Sequence, residues 1–164
     1  MEGEVMPRDW DAWGRVEENF TVPTTTRKRI YLIGSLRNKT IPEIAARLRD
    51  AGWDVFDDWY ASGPEADDFW RDYEQSRGHD LATALEGHVA GHVYSFDIGH
   101  LDRSDIAVLV LPCGRSGHLE LGYAVGKGKR AFVLMEGEPE RFDFMYKMAE
   151  GVVYSLERLV ERLK

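Results

Sequence analysis

The stretch Ile106-Ala107-Val108-Leu109-Val110-Leu111 is apolar throughout. Six apolar residues in a row, without polar alternation, are typical of a strand that is buried on both faces at the centre of a parallel sheet. Working outward from this strand, shorter apolar runs predict four more strands, at 30–33, 53–56, 131–135 and 152–153.

Helical patterns separate these strands. Thr40 with Glu43 three residues later predicts a capping box that begins a helix ending at Gly52. Further helices are predicted from Glu65, over 80–101, over 117–127, near 142–149 and from Ser155 onward. Over 80–101 the apolar residues that recur close to helical spacing are Leu81, Leu85, Val89, Val93, Phe96 and Leu101. Strands that alternate with helices predict an α/β fold, a flavodoxin-like doubly wound five-stranded parallel sheet with helices on both faces.

Length and charge limit the function. The chain has 164 residues, a length typical of one domain with a substantial core. Its 21 Lys and Arg against 29 Asp and Glu give a net charge of −8. Proteins that bind nucleic-acid backbones or anionic membranes usually carry the opposite sign. We therefore expect neither a nucleic-acid polymer nor a membrane as a partner.

Cysteine content and the N-terminal sequence indicate the compartment. Cys113 is the single cysteine, so the chain can form no intrachain disulfide. No run of 18 apolar residues occurs, and the acidic N-terminal segment lacks the basic and apolar parts of a signal peptide. We expect a cytoplasmic location.

Residues 1–28 are predicted to form an N-terminal arm in front of a domain at 29–164. The arm is polar, yet Trp10, Trp13 and Phe20 are more aromatic residues than a linker usually carries. We expect them to fix the arm on the domain or on a neighbouring subunit.

The loops after the first and third strands are the candidate site, because ligands of doubly wound sheets lie at the carboxyl ends of the strands where the strand order reverses. The first loop offers Ser35 and Arg37 beside a helix N-terminus, which favours an anion. A solvated Arg in a turn is the alternative. The second loop offers Ser116 as an N-cap and Glu120 in the first helical turn, where the helix dipole should keep Glu120 ionised.

A second carboxyl group can reach the same cleft. Asp97 lies near the end of the predicted 80–101 helix. Two carboxyl groups can divide the cleavage of a glycosidic bond, because one attacks the anomeric carbon and the other assists the leaving group. A solvated Glu120 is the alternative. His88 and His92 lack a clear third ligand and no GxGxxG follows the first strand, so we predict neither a metal nor a cofactor.

Three segments occur in order along the chain: IYLIGSLR at 30–37, FDIGHLDRSD at 96–105 and GHLELGYAVGKGK at 117–129. Together they resemble the nucleoside 2-deoxyribosyltransferases and the related nucleoside 5′-monophosphate N-glycosidases. The resemblance spans about residues 30–160. The third segment is the most specific, because the nucleophilic Glu of that family lies in a Glu-Leu-Gly-Tyr-Ala sequence.

The resemblance implies roles for three residues. Glu120 is the implied nucleophile at C1′ of the sugar, Asp97 the carboxyl group that serves the base and the sugar hydroxyls, and Tyr31 the hydroxyl that orients the nucleophile. Positive charge grows on the sugar as the C–N bond breaks, which favours an ionised Glu120. A protonated Asp97 can deliver a proton to the leaving base. The implied reaction passes through a covalent glycosyl-enzyme on Glu120.

One departure from the family bears on the substrate. Transferases of free nucleosides carry an acidic residue shortly before the nucleophile, where it holds the 5′-hydroxyl, whereas residues 114–116 contain none. The monophosphate glycosidases have a Gly-Ser-x-Arg loop, as residues 34–37 do. We therefore predict hydrolysis of a (deoxy)nucleoside 5′-monophosphate to free base and sugar phosphate, with Ser35, Arg37 and Ser116 at the phosphate. The predicted substrate-binding residues are Gly34, Ser35, Arg37, Asn38, Gly114, Arg115, Ser116 and Gly117.

Three other functions remain as alternatives. They are a 2-deoxyribosyltransferase that exchanges bases between deoxynucleosides, a TIR-like NAD glycohydrolase, and a non-catalytic nucleotide-binding module. Trp59, Tyr60 and Trp70 offer aromatic faces on which a base could stack. Because members of the family assemble as dimers or larger, the resemblance also implies a homo-oligomer whose ligand is a small-molecule nucleotide or nucleoside.

Overall fold

A computed structural model describes residues 27–164 of the chain. The aromatic residues predicted to fix the arm, Trp10, Trp13 and Phe20, lie outside the described residues. The arm and the domain boundary at residue 29 therefore stay predictions.

Five strands form one parallel sheet in the order β2-β1-β3-β4-β5. Their bounds are β1 Arg29–Ile33, β2 Asp54–Phe56, β3 Ile106–Val110, β4 Arg130–Leu134 and β5 Gly151–Val153. All five residues of β3 are buried, as the unbroken apolar run predicts for a central strand. The strand order reverses between β1 and β3, so the loops that follow these two strands share one crevice.

Six α-helices connect the strands between residues 27 and 164. They are α1 Ile41–Asp50, α2 Ala66–Ser76, α3 Leu81–Leu85, α4 His88–Asp102, α5 Arg115–Gly126 and α6 Leu156–Leu163. Short 3₁₀ segments occupy Asp58–Ser62 and Phe144–Met148. The helices α1 and α6 pack on one face of the sheet, and α4 and α5 pack on the other. The predicted flavodoxin-like arrangement with helices on both faces is confirmed.

Residues of β1 alternate between the two cores. Ile30 and Leu32 join the apolar cluster on the side of α1 and α6, whereas Tyr31 and Ile33 join the cluster on the side of α4 and α5. This alternation follows from the two-residue period of a strand. It directs the Tyr31 side chain toward the helix layer that carries Asp97 and Glu120.

The predicted capping box at the start of α1 is wrong. Thr40 occupies the N-cap position, but its side chain makes no capping hydrogen bond. Its hydroxyl donates to Asn38 Oδ1 at 2.8 Å instead. Thr40 thus supports the loop after β1 rather than the helix.

The single helix predicted over 80–101 is divided into two, α3 and α4. The first helix stops at Leu85 because Gly87 adopts an extended conformation, with φ −77° and ψ 160°, and becomes the N-cap of α4. Leu81, Leu85, Val89 and Val93 are exposed, whereas Leu101 is fully buried.

The homo-oligomer stays a prediction, and sedimentation of the purified protein tests it directly.

No helix among residues 27–164 is long and apolar enough to cross a bilayer.

Candidate active site

The three side chains predicted to be catalytic come together on one side of the sheet. Tyr31 is fully buried on β1, while Asp97 on α4 and Glu120 on α5 are partly buried. Burial raises the pKa of the Tyr31 phenol above its usual range, and the charges of Glu120 and Asp97 raise it further. All three groups therefore interact electrostatically although 66 residues separate Tyr31 from Asp97 in the sequence.

The position of Glu120 in its helix differs from the prediction. Helix α5 begins at Arg115 with Gly114 as its N-cap, so Ser116 is not the capping residue. Gly114 is extended, with φ −80° and ψ −167°, and the helix starts two residues earlier than predicted. Glu120 consequently lies in the second turn. The dipole acts mainly within the first turn, so it no longer accounts for an ionised Glu120.

Burial dominates the ionisation of Glu120. It raises the pKa of this carboxyl group to about 7, and the Asp97 charge adds to the effect. Removing a carboxylate from water disfavours its charged form, and a like charge nearby disfavours it further. The side chain is thus protonated over more of the pH range than a solvated Glu.

The helix that carries Asp97 is fixed by ring contacts. Phe96 and His100 on α4 pack against Phe56, with the Phe56 and His100 rings stacked at a centroid distance of 3.9 Å. Phe56 in turn lies 5.2 Å from the Tyr31 ring. These contacts hold α4 against β1 and β2. Burial raises the pKa of Asp97 to about 6.

The two carboxyl groups are suited to acid–base work near neutral pH. Since their pKa values lie at about 6 for Asp97 and about 7 for Glu120, the pair as a whole holds one proton between these values. One group can then act as an anion while the other donates a proton. Such a division of roles is what cleavage of a glycosidic bond requires.

The pH profile of any reaction at this pair should be bell-shaped. Below pH about 6 both carboxyl groups are protonated and no nucleophile exists, whereas above pH about 7 both are ionised and no acid exists. We expect kcat/KM to be greatest between these limits and to fall about tenfold per pH unit outside them. Asp97→Asn is the control. The substrate titrates in the same way with this variant, but kcat/KM should no longer fall at alkaline pH, because the acid that loses its proton there is absent. A flat profile from pH 5 to pH 8 in the parent protein would contradict a shared proton.

Four predicted substrate-binding residues line one cavity of about 280 Å³. Ser35, Arg37, Asn38 and Gly114 face it together with Pro112 and Cys113. The loop after β1 and the loop after β3 thus meet, as the strand order requires. The lining supplies a guanidinium, a hydroxyl and an amide, and it includes no carboxylate.

Hydrogen bonds within the chain hold the first loop in shape. Ser35 Oγ accepts from the Arg37 backbone N–H at 3.2 Å, and the Ser35 carbonyl accepts from the Asn38 N–H at 2.9 Å. Asn38 Oδ1 accepts from both the backbone and the hydroxyl of Thr40. Asn38 Nδ2 is buried and has no partner among residues 27–164. The oxygen of this amide therefore accepts within the loop, whereas its buried nitrogen has no partner among the described residues.

The other four predicted binding residues do not line the cavity. Gly34 and Gly117 are needed for close packing: a Cβ at Gly34 would lie 2.4 Å from Ile41 Cδ1, and one at Gly117 would lie 2.3 Å from Cys113 Sγ. Arg115 and Ser116 are exposed in the first turn of α5.

Two contacts near the cavity had no sequence signal. Arg37 Nη2 donates to Asp68 Oδ2 on α2 at 2.6 Å. His118 Nε2 lies 2.9 Å from the Tyr146 hydroxyl, which fixes the segment Phe144–Met148 against α5. Both contacts join residues at least 28 positions apart, so only the tertiary structure reveals them.

The aromatic residues considered for base stacking have different surroundings. Trp59 Nε1 donates to the Leu32 carbonyl at 2.8 Å, and the ring lies beside Gly34, next to the site. Tyr60 packs edge-on against Trp59 with a centroid distance of 5.8 Å. Trp70 is half-buried on α2, and its indole N–H has no acceptor within the described part of the chain. Trp59 is thus the aromatic side chain whose contacts place it at the carboxyl end of β1.

Cys113 lines the cavity, half-buried. Burial raises the pKa of its thiol, and the Glu120 charge raises it further, so the thiol stays protonated at neutral pH.

Among residues 27–164 no cluster of three His, Cys, Asp or Glu side chains is arranged to hold a metal ion.

Solved structures with the same architecture exist. A CMP N-glycosidase of Clostridium botulinum matches with a TM-score of 0.51 at 15% identity, over 83% of this chain and 98% of that one. A 2-deoxyribosyltransferase of Bacillus psychrosaccharolyticus matches with a TM-score of 0.54 at 17% identity, over 80% and 90%. The chain shares the fold of these two enzymes.

A conserved protein of Enterococcus faecalis also matches, with a TM-score of 0.57 at 15% identity, over 83% of this chain and 96% of that one. No family model and no curated protein sequence matches the chain. At 15–17% identity the likeness establishes the fold, so the reaction has to be argued from the side chains.

Proposed function

We propose that the protein cleaves the N-glycosidic bond of a nucleoside 5′-monophosphate and releases the free base and the sugar phosphate. The observation that carries this proposal is the pair of partly buried carboxyl groups, Glu120 and Asp97, whose charges interact and whose pKa values burial raises to about 7 and about 6. The cavity that contains Arg37 lies at the same edge of the sheet. The pair supplies the chemistry, and the cavity supplies a place for the phosphate.

In the first step the Glu120 carboxylate attacks C1′ of the sugar. A C–O ester bond forms, the C–N bond to the base breaks, and its electron pair stays on the base nitrogen. Asp97 donates its proton to the departing base and becomes a carboxylate. In the free protein the proton lies mainly on Glu120, whose pKa is the higher of the two, so it passes to Asp97 before the attack. The positive charge that develops on the sugar stabilises the Glu120 anion and favours this arrangement.

In the second step water resolves the ester. The Asp97 carboxylate takes a proton from water, whose oxygen attacks C1′ and releases Glu120 as a carboxylate. The product is a sugar 5-phosphate with the configuration of the substrate, because two displacements restore it.

Tyr31 assists as a hydrogen-bond donor. Its raised pKa keeps the phenol protonated throughout the working pH range. A protonated phenol can orient an adjacent carboxylate but cannot act as a base. This environment supports the proposed role of Tyr31 in orienting Glu120.

The make-up of the cavity supports a phosphate. Arg37 and the Ser35 hydroxyl are donors that suit a dianion, and a guanidinium binds phosphate in a forked geometry. A neutral 5′-hydroxyl would bring no charge to Arg37, which would stay paired with Asp68. Ser116 remains a proposed contact, because it belongs to the adjacent helix N-terminus.

The structural neighbours support the reaction class. One is named as an N-glycosidase acting on CMP and the other as a 2-deoxyribosyltransferase, and both activities act at the bond between base and sugar. A binding module would not need two carboxyl groups with raised pKa values.

The test is release of free base from the common ribo- and deoxynucleoside 5′-monophosphates and from the matching nucleosides. We expect release from monophosphates without any acceptor base. Arg37→Ala should raise KM for monophosphates about 10- to 100-fold, because a hydrogen bond to a charged group is lost, while kcat changes less than KM. Arg158→Ala is the matched control, since Arg158 lies on α6, pairs with Glu161 and does not line the cavity.

A transferase would give a different pattern. Base release that requires a second base, prefers unphosphorylated nucleosides and ignores Arg37→Ala would overturn the phosphate argument. Release of nicotinamide from NAD, with no cleavage of any monophosphate, would favour the glycohydrolase alternative.

A further inference from the structure

Asp68 is the present ion-pair partner of the cation in the proposed phosphate cavity. Its Oδ2 accepts from Arg37 Nη2 at 2.6 Å, and its Oδ1 accepts from Arg71 Nη1 at 3.0 Å. Asp68 lies in the first turn of α2, where the helix dipole favours its anion. The loop after β1 is therefore tied to α2 through a carboxylate.

This ion pair can be exchanged. The side chains of Arg37 and Asp68 are 58% and 40% exposed. Ion pairs with this exposure are weak and are screened by salt, so a stronger anion can displace the carboxylate. A phosphate dianion carries more charge than a carboxylate and offers a guanidinium forked hydrogen bonds.

A neutral ligand would leave the pair in place. A 5′-hydroxyl brings no charge that competes for Arg37, so the Arg37–Asp68 pair persists when a free nucleoside binds. When a phosphate takes Arg37, Asp68 loses that partner, keeps Arg71 and faces a dianion across a short distance. Repulsion between these like charges lowers phosphate affinity.

We propose that Asp68 is a specificity-determining residue that competes with the substrate phosphate for Arg37. The proposal rests on the proposed function, because it assumes that the cavity receives the 5′-phosphate. Asp68 acts through Arg37 and touches no reacting atom. It holds the cation while the cavity is empty and limits how tightly a phosphorylated ligand binds.

The test is binding of 2-deoxyribose 5-phosphate to the full chain, measured by calorimetry, and KM for the best monophosphate and its nucleoside. Asp68→Asn should lower Kd and the monophosphate KM about 3- to 10-fold, as expected when a like charge is removed, and leave the nucleoside KM within twofold. The gain should shrink as salt increases. In an Arg37→Ala background the same substitution should have a smaller effect.

Asp72→Asn is the matched control. Asp72 lies one turn further along α2, also contacts Arg71, and has no bond to Arg37. We expect it to leave Kd unchanged. An unchanged or weaker affinity in Asp68→Asn overturns the proposal, as does an equal gain with Asp72→Asn or a lack of sugar phosphate binding in both proteins.

The two proposals fail separately. If the parent protein cleaves monophosphates but Asp68→Asn does not change Kd, only the role of Asp68 is wrong. If no nucleotide is cleaved but Asp68→Asn binds the sugar phosphate more tightly, the cavity assignment stands and the reaction is wrong.

Discussion

Glu120→Gln should reduce the rate of base release by about 10⁴-fold, because an amide cannot form the glycosyl ester that the mechanism requires. The substitution preserves the size of the side chain, so the packing of α5 against β1 and β3 should persist. Residual activity within tenfold of the parent protein would show that another group attacks the sugar.

The same variant should be more stable than the parent protein at alkaline pH. The folded pKa of Glu120 is about 7 against an ordinary value of 4.5, so the folded state binds the proton more tightly than the unfolded chain. The contribution of Glu120 to stability is therefore fully present below pH about 4.5, is lost as the pH rises to about 7, and stays absent above that pH. Gln carries no charge, so at pH 8 the free energy of unfolding of Glu120→Gln should be higher than that of the parent protein by up to about 3 kcal/mol.

Thermal unfolding of both proteins at pH 5 and at pH 8 separates loss of chemistry from loss of fold. We expect the melting temperature of Glu120→Gln to exceed that of the parent protein by a few degrees at pH 8 and by less at pH 5. A lower melting temperature at pH 8 would mean that the inactive variant is damaged, and Glu120→Asp would then serve as the alternative test of the nucleophile.

Asp97→Asn should slow cleavage of an ordinary substrate by about 10²- to 10⁴-fold, since an amide cannot protonate the departing base. The defect should depend on the base. A 7-methylguanine or 5-nitrouracil nucleotide loses its base without prior protonation, so its first step does not need Asp97.

The measurement compares an ordinary nucleotide with its activated counterpart in both proteins. We expect the burst of nucleobase released from the activated nucleotide to be nearly as fast in Asp97→Asn as in the parent protein. The steady rate should stay slow, because no carboxylate at position 97 takes the proton from the attacking water. Equal defects for both nucleotides would assign Asp97 to sugar binding instead of proton transfer.

The sheet could be predicted because its centre is uniformly apolar. Residues 106–111 include no polar residue that would mark a solvent-facing side of the strand. The bounds of the shorter apolar runs around them match those of the four other strands to within a residue or two. Helical spacing predicts the helix that carries Val89 and Val93, but it does not predict that these side chains are exposed. Periodicity indicates an apolar face, but the packing of neighbouring elements decides whether that face is covered.

The site could be predicted in part. Glu120, Asp97 and Tyr31 follow from a family resemblance, and the structure brings their side chains to one side of the sheet. The reason for their ionisation could not be predicted, because burial of the carboxyl groups is a tertiary property. The ion-pair partner of Arg37 could not be predicted either, because Asp68 lies 31 residues away in a segment without a motif.

The central claim is a covalent sugar on Glu120, and intact-protein mass spectrometry of acid-quenched Asp97→Asn tests it most directly. With an activated nucleotide, formation of the ester proceeds while its hydrolysis is slow. We predict that the protein gains the mass of one sugar phosphate residue within the burst, that peptide mapping places it on Glu120, and that the double variant with Glu120→Gln gains nothing. Release of base without any adduct, or an adduct on another residue, would contradict the mechanism.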